Sequence, residues 1–126
     1  MNKQIVRTDR APAPIGPYSQ AILINGMLFV SGQVAIDPDT NETVVHDIRA
    51  ETERVMANVK AILDHAGFQF RHVVKSSIFL SDMNNFKDVN DVYGAYFASD
   101  PPARETVQVS RLPKDANVEI SVIAIK

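Results

Sequence analysis

At 126 residues the chain is long enough to bury one real core and too short for two ordinary ones, so a single domain over residues 1–126 is expected. A formal net charge of −2 at pH 7 supplies no general pull toward phosphates, which argues against nucleic acid as the main ligand and leaves small metabolites as the better expectation. The absence of cysteine removes disulfides, thiolate metal sites and thiol nucleophiles together, and no apolar run is long enough for a signal peptide or a bilayer span, so a soluble, cytoplasmic chain without membrane partners is expected.

Lys3 to Thr8 alternates weakly and predicts a short edge strand before the proline-broken stretch Ala11 to Pro17, which should be an ordered loop. Ala21 to Ile24 and Met27 to Gln33 are apolar runs joined by Asn25-Gly26, a dipeptide whose left-handed dihedrals suit a two-residue hairpin. After the turn cluster Asp37 to Asn41 the spacing becomes helical over Ile48 to Ala66, with Asp47 as the cap and Gly67 as the stop. Val73 to Leu80 alternates again, with Val74, Ser76, Ile78 and Leu80 assigned to one face. A second helix is predicted over Asn84 to Ala98, before Pro101-Pro102. Ala103 to Val109 and Val118 to Ile125 complete the chain as strands. The order β-β-β-α-β-α-β-β predicts an α+β fold: one sheet of about six strands with two helices on one face. Met27 to Val30 and Val118 to Ile125 are apolar at both parities, yet the helices cover only one face. The other face is therefore expected to pack against a second copy of the chain.

Chemistry-bearing residues are few. His46, His65 and His72 show no ligand spacing, and no phosphate loop, serine elbow or carboxylate pair at metal spacing occurs, so neither a metal nor an organic cofactor is expected. The informative segment is Pro102-Ala103-Arg104-Glu105-Thr106, where alternation puts Arg104 and Thr106 on one face. Glu119 has the parity opposite to Val118 and Ile120 and so should point away from the helices, where an arginine and a carboxylate could meet. Ser31, just before Gly32, and Tyr18, in a constrained loop, could join the same pocket. On spacing alone the plainer alternative is favoured: Arg104 and Glu119 as a cross-strand ion pair, and Ser31 as a strand-end hydroxyl bonded to backbone.

Gly16-Pro17-Tyr18-Ser19-Gln20-Ala21, Val30-Ser31-Gly32-Gln33, Asn90-x-x-Tyr93-x-x-Tyr96-Phe97, Pro102-Ala103-Arg104 and Val118-Glu119-Ile120 occur in this order across almost the whole chain. Together they resemble the RidA group of the reactive intermediate deaminase (YjgF-like) family. The resemblance implies a chorismate-mutase-like α+β fold and a homotrimer with a central barrel and three clefts between subunits. It implies hydrolysis of 2-imino acids, such as 2-iminobutanoate and 2-iminopropanoate, to 2-keto acids and ammonia, without cofactor. Carried onto this chain, it makes Arg104 the carboxylate clamp and Glu119 the water-holding base, with Tyr18, Ser31, Gly32 and Thr106 lining the cleft.

Two positions depart from the family pattern. Glu105 stands where a small or apolar residue usually follows the arginine, and Thr106 stands where many members carry cysteine, which removes any thiol-dependent role. Two other functions stay open: a trimer that binds small carboxylates without turnover, and the endoribonuclease or translation-inhibitor activity of some relatives. The charge balance and the lack of a histidine pair weigh against the last.

Overall fold

The computed structural model describes residues 2–126. Strand β1 (Gln4–Val6) pairs with β2 (Ala21–Ile24), and β2 turns into β3 (Met27–Gln33) through Asn25 and Gly26. Their φ values of 50° and 75° are the left-handed pair that a type I′ turn requires, so local chemistry alone sets this hairpin. Helix α1 (Ile48–His65) starts where the Asp47 carboxylate accepts a hydrogen bond from Ala50 N, a cap contributing about 1 kcal/mol, and is followed by Gly67 at φ 82°. Its apolar stripe, including Val55, Val59 and Ile62, is fully buried.

Strand β4 (Val73–Leu80) leads to a 3₁₀ turn at Met83–Asn85 and to helix α2 (Phe86–Gly94). The second helix is therefore shorter than the sequence predicts: its first turn is 3₁₀, and hydrogen-bonded turns replace it after Gly94. Strand β5 (Ala103–Gln108), a 3₁₀ turn at Pro113–Asp115 and strand β6 (Val118–Ile125) follow. The sheet order is β1-β2-β3-β6-β4-β5. Only β4 and β5, connected through α2, run parallel; the other neighbours are antiparallel, so the sheet is mixed.

The core lies between one sheet face and the helices: Val118, Ile120, Val122 and Ala124 of β6 meet Leu28, Ile78 and the stripe of α1. On β4 the predicted parity fails at one end. The register with β6 shifts between Val73 and Lys75, which buries Val73 and leaves Val74 45% exposed, whereas simple alternation put Val74 with the buried set. The opposite face of the sheet is uncovered in this chain and apolar over β1–β3 and the end of β6. Phe29 lies opposite Ile22 and Ile123, and Met27 opposite Ile125; Phe29, Val107, Ile125 and Ile5 are 40%, 41%, 47% and 68% exposed.

Candidate active site

A bulge builds the centre of the site. Val30 pairs with Val122 and Gln33 with Ile120, so Ser31 and Gly32 of β3 together oppose the single residue Ser121 of β6. The extra residue brings Gly32 beneath the Glu119 side chain: a β-carbon at position 32 would lie 2.6 Å from Glu119 Oε2 and 2.8 Å from its Cδ. Any larger residue here would push the Glu119 carboxylate off this seat. The Glu119 carboxylate has no hydrogen-bond partner among the described residues, and burial raises its pKa above the ordinary glutamate value.

Around it lies a cleft of about 290 Å³ lined by Tyr18, Ser31, Gly32 and Glu119, with Pro12, Ile15, Pro113 and Lys114 among its other walls. Four of the six residues singled out in the sequence thus share one pocket. Their hydrogen bonding divides the roles further. Ser31 Oγ donates to Ser19 O at 2.6 Å, so its proton is committed to the backbone, as the plainer reading proposed, and only its lone pairs can face a ligand. Tyr18 is half exposed, and its hydroxyl accepts one long contact, 3.4 Å from Ile15 N, leaving its proton free to donate.

Arg104 and Thr106 stand elsewhere. Arg104 lies beside Ser76, and Thr106 beside Ile78, across the parallel β4–β5 ladder. Ser76 and Ile78 are buried on the helix-covered face, so Arg104 and Thr106 share that face. Glu119 lies beside Phe79, on the other one. With β4 also standing between β5 and β6, the expected meeting of Arg104 and Glu119 does not occur within one chain, and neither does the cross-strand ion pair. Instead the Arg104 guanidinium is seated at the sheet edge by α2: it donates to Asn90 Oδ1 at 2.8 Å and lies 5.2 Å from the Tyr93 ring centroid and 5.8 Å from that of Phe86. No ion pair among the described residues includes it. Beneath it, Ser76 Oγ, Tyr93 OH and Thr106 Oγ1 are buried without hydrogen-bond partners, and burial raises the Tyr93 phenol above its ordinary pKa.

Glu105 projects to the uncovered face, as alternation predicts. It pairs with Lys75 at 2.8 Å and accepts from Ser77 Oγ; these two contacts hold its carboxyl below the ordinary range. Its charge is thereby engaged away from the arginine. Two site-building residues escaped the sequence reading. Gln20 is 2% exposed; its amide accepts from Thr8 N and donates to Thr8 O, Ala11 O and Pro12 O, tying down the loop that carries Tyr18. Glu51 is wholly buried at the start of α1. Its only sequence signal is an acidic residue in a first helical turn, which ordinarily faces water. Among the described residues no three His, Asp or Glu side chains gather to hold a metal ion, and no helix is long and apolar enough to cross a membrane.

The mixed six-stranded sheet and its two helices define a chorismate-mutase-like α+β protein, with a cleft over the β3 bulge. The model of the family described as Endoribonuclease L-PSP matches residues 8–126, and the chain belongs to this family, the RidA/YjgF family. Among its relatives, a RutC family protein of Pyrococcus abyssi is 50% identical over 100% of this chain and 99% of its own. The 2-iminobutanoate/2-iminopropanoate deaminase of Bos taurus is 44% identical, covering 98% of this chain and 90% of the relative. The crystal structure of Escherichia coli TdcF with bound serine superposes with a TM-score of 0.93 at 39% identity, over 98% of each chain.

Proposed function

We propose that the protein hydrolyses reactive 2-imino acids, such as 2-iminobutanoate and 2-iminopropanoate, to 2-keto acids and ammonia in a homotrimer whose three sites form between subunits. The observation that carries this is that the two charged groups stand apart in one chain, each without an ionic partner among the described residues. A carboxylate without a partner lies in a cleft on the uncovered face, and a guanidinium without a carboxylate partner is held at the sheet edge on the other. A second copy packed on the apolar face delivers its Arg104 to the first copy's cleft. Burying Phe29, Ile125 and Ile5 in that contact contributes roughly 1 kcal/mol each, given that about half of each side chain is still in water.

In the assembled site the planar fork of Arg104 binds the substrate carboxylate through two hydrogen bonds and fixes which face of C2 is open. Asn90 and the two rings hold the fork, so little side-chain entropy is lost on binding. Glu119 accepts a proton from a water poised over C2; the water oxygen bonds to C2 and the C=N pair moves to nitrogen. Glu119 then returns that proton to nitrogen, giving a carbinolamine, and next carries the remaining hydroxyl proton to nitrogen, so that the C–N bond breaks as the C=O bond forms and ammonia leaves a 2-keto acid. A base whose pKa burial raises above the ordinary glutamate value holds the proton better between the two transfers, and such a base contributes about 10²–10⁴-fold. The Tyr18 hydroxyl and the Gly32 backbone supply further hydrogen bonds. The names of the bovine deaminase and of the serine-bound TdcF structure support a small amino-acid-like ligand.

The test couples the purified protein to a threonine dehydratase and follows keto-acid appearance: acceleration over spontaneous imine loss supports the reading, and its absence with the folded oligomer refutes it. Binding without turnover would instead show as thermal stabilisation by 2-ketobutyrate with no acceleration. The family model's description favours a second reading, ribonuclease activity. Against it stand the net charge of −2 and three histidines on separate elements: His46 in a loop, His65 at the end of α1 and His72 before β4. Incubation with single-stranded RNA leaving the substrate intact removes it.

A further inference from the structure

We infer that Glu51 is a positioning residue for Glu119, holding the start of β6 in the place where the Glu119 carboxylate lies over Gly32. The inference deepens the hydrolytic reading of the cleft and rests on it. Glu51 is 0% exposed and no cation pairs with it among the described residues. Its acceptors go to the two residues immediately before Glu119: Oε2 accepts from Asn117 N at 2.7 Å and Val118 N at 3.3 Å, and Oε1 from Asn117 Nδ2 at 2.8 Å. A buried carboxylate is costly unless hydrogen-bonded, and here every bond it makes converges on one point of the backbone.

That point is under load. On its N-terminal side Lys114 and Asp115 hold positive φ of 61° and 52°, conformations costing side chains with a β-carbon of order 1 kcal/mol each. Pro113 and Lys114 of this strained turn form a wall of the cleft. On the other flank Ser81 N donates to Asn117 O at 3.1 Å, fixing the peptide from the β4 side. Glu51 belongs to α1, the longest rigid element, so its three bonds reference the Glu119 backbone to the core. Without them the turn can relax and swing the first residues of β6 outward, lifting the Glu119 carboxylate from its half-buried seat further toward water. The groups facing that carboxylate are Gly32 of β3, Phe79 of β4, Tyr18 of the N-terminal loop and Lys114 of the turn; of these only Lys114 and Tyr18 carry an ionisable side chain.

Glu51→Gln keeps the shape and loses one acceptor, so it should fold while loosening the clamp. The measurement follows the Glu119 carboxyl carbon by ¹³C NMR across pH in the full-length oligomer, assigned by its loss in Glu119→Gln, alongside imine hydrolysis. Expected is a titration displaced to lower pH than in wild type, and kcat reduced about tenfold with KM within about twofold, because misplacement near the reacting atoms acts on the chemical step. An unmoved Glu119 titration overturns the inference, even if activity falls. If Glu51→Gln does not fold, Asn117→Ala, which removes only the Nδ2 donor, must move the titration the same way, and its failure to do so is equally fatal. A displaced titration in a protein whose wild type shows no turnover supports the positioning and removes the deaminase reading alone.

Discussion

Replacing Gly32 with alanine tests the centre of the site with a single methyl group. The added carbon would lie 2.6 Å from Glu119 Oε2, 2.8 Å from Cδ and 3.0 Å from Cγ, whereas comfortable contact needs about 3.5 Å. The carboxylate must therefore retreat by about 1 Å. Because the obstructing atoms belong to the end of a side chain, the fold can yield there at a cost of about 1–2 kcal/mol. Gly32 is not at positive φ, so the lower chain entropy of alanine in the unfolded state returns about 0.5 kcal/mol of that. The net effect is a fall in Tm of only a few degrees for a chain of this size. The chemistry should suffer far more: displacing a catalytic group by about 1 Å costs on the order of 100-fold, close to 2.7 kcal/mol in transition-state stabilisation. Calorimetry and the dehydratase-coupled assay separate the two effects, and Gly32→Ala/Glu119→Asp, with its shorter carboxylate, should recover part of the activity. A Gly32→Ala protein within threefold of wild-type kcat/KM would refute the placement of Glu119 as the base.

Arg104→Ala should lose at least about 100-fold in kcat/KM with little change in Tm, since the side chain is exposed, and Arg104→Lys should rescue poorly because an ammonium cannot offer the planar fork; equal activity of Arg104→Ala and wild type would sink the clamp. Mixing Arg104→Ala and Glu119→Gln chains through unfolding and reassembly should restore about one quarter of wild-type activity, the chance that a boundary between copies receives both intact residues, whereas a site contained in one chain gives none. The acid limb of kcat/KM should lie above the ordinary glutamate range, because burial raises Glu119, and Glu119→Gln should abolish it along with most activity. The stability consequence has a definite sign. A carboxyl whose pKa is higher folded than unfolded binds its proton better when folded, so stability falls as pH rises from the unfolded pKa through the folded one. Glu119→Gln should therefore melt higher than wild type at pH 8 and no higher at pH 4, as read by scanning fluorimetry.

Much of the fold was legible because its signals are local. Asn25-Gly26 fixes its hairpin by backbone preference, Asp47 starts α1 by a bond three residues away, and strict alternation placed Glu119 opposite Val118 and Ile120 without any tertiary information. Gly32 stood within a quoted motif, but its reason, the carboxylate resting on it, comes from a bulge that no periodicity announces. Val74 was misassigned for the same reason, since one irregularity in a ladder reverses the parity beyond it. Gln20 stands in a motif without a role that its type or spacing assigns, and Glu51 carries no signal beyond its place in a first helical turn; only packing shows them buried and bonded.

The sequence by itself determined the elements, the polar residues available for chemistry and the apolar excess that two helices cannot cover, because each of these follows from residue type and spacing. The tertiary structure decided where those residues stand. The insertion of β4 between β5 and β6 and the crossover through α2 are long-range choices without a local signature. They place Arg104 and Glu119 on opposite faces of one sheet, where neither can neutralise the other.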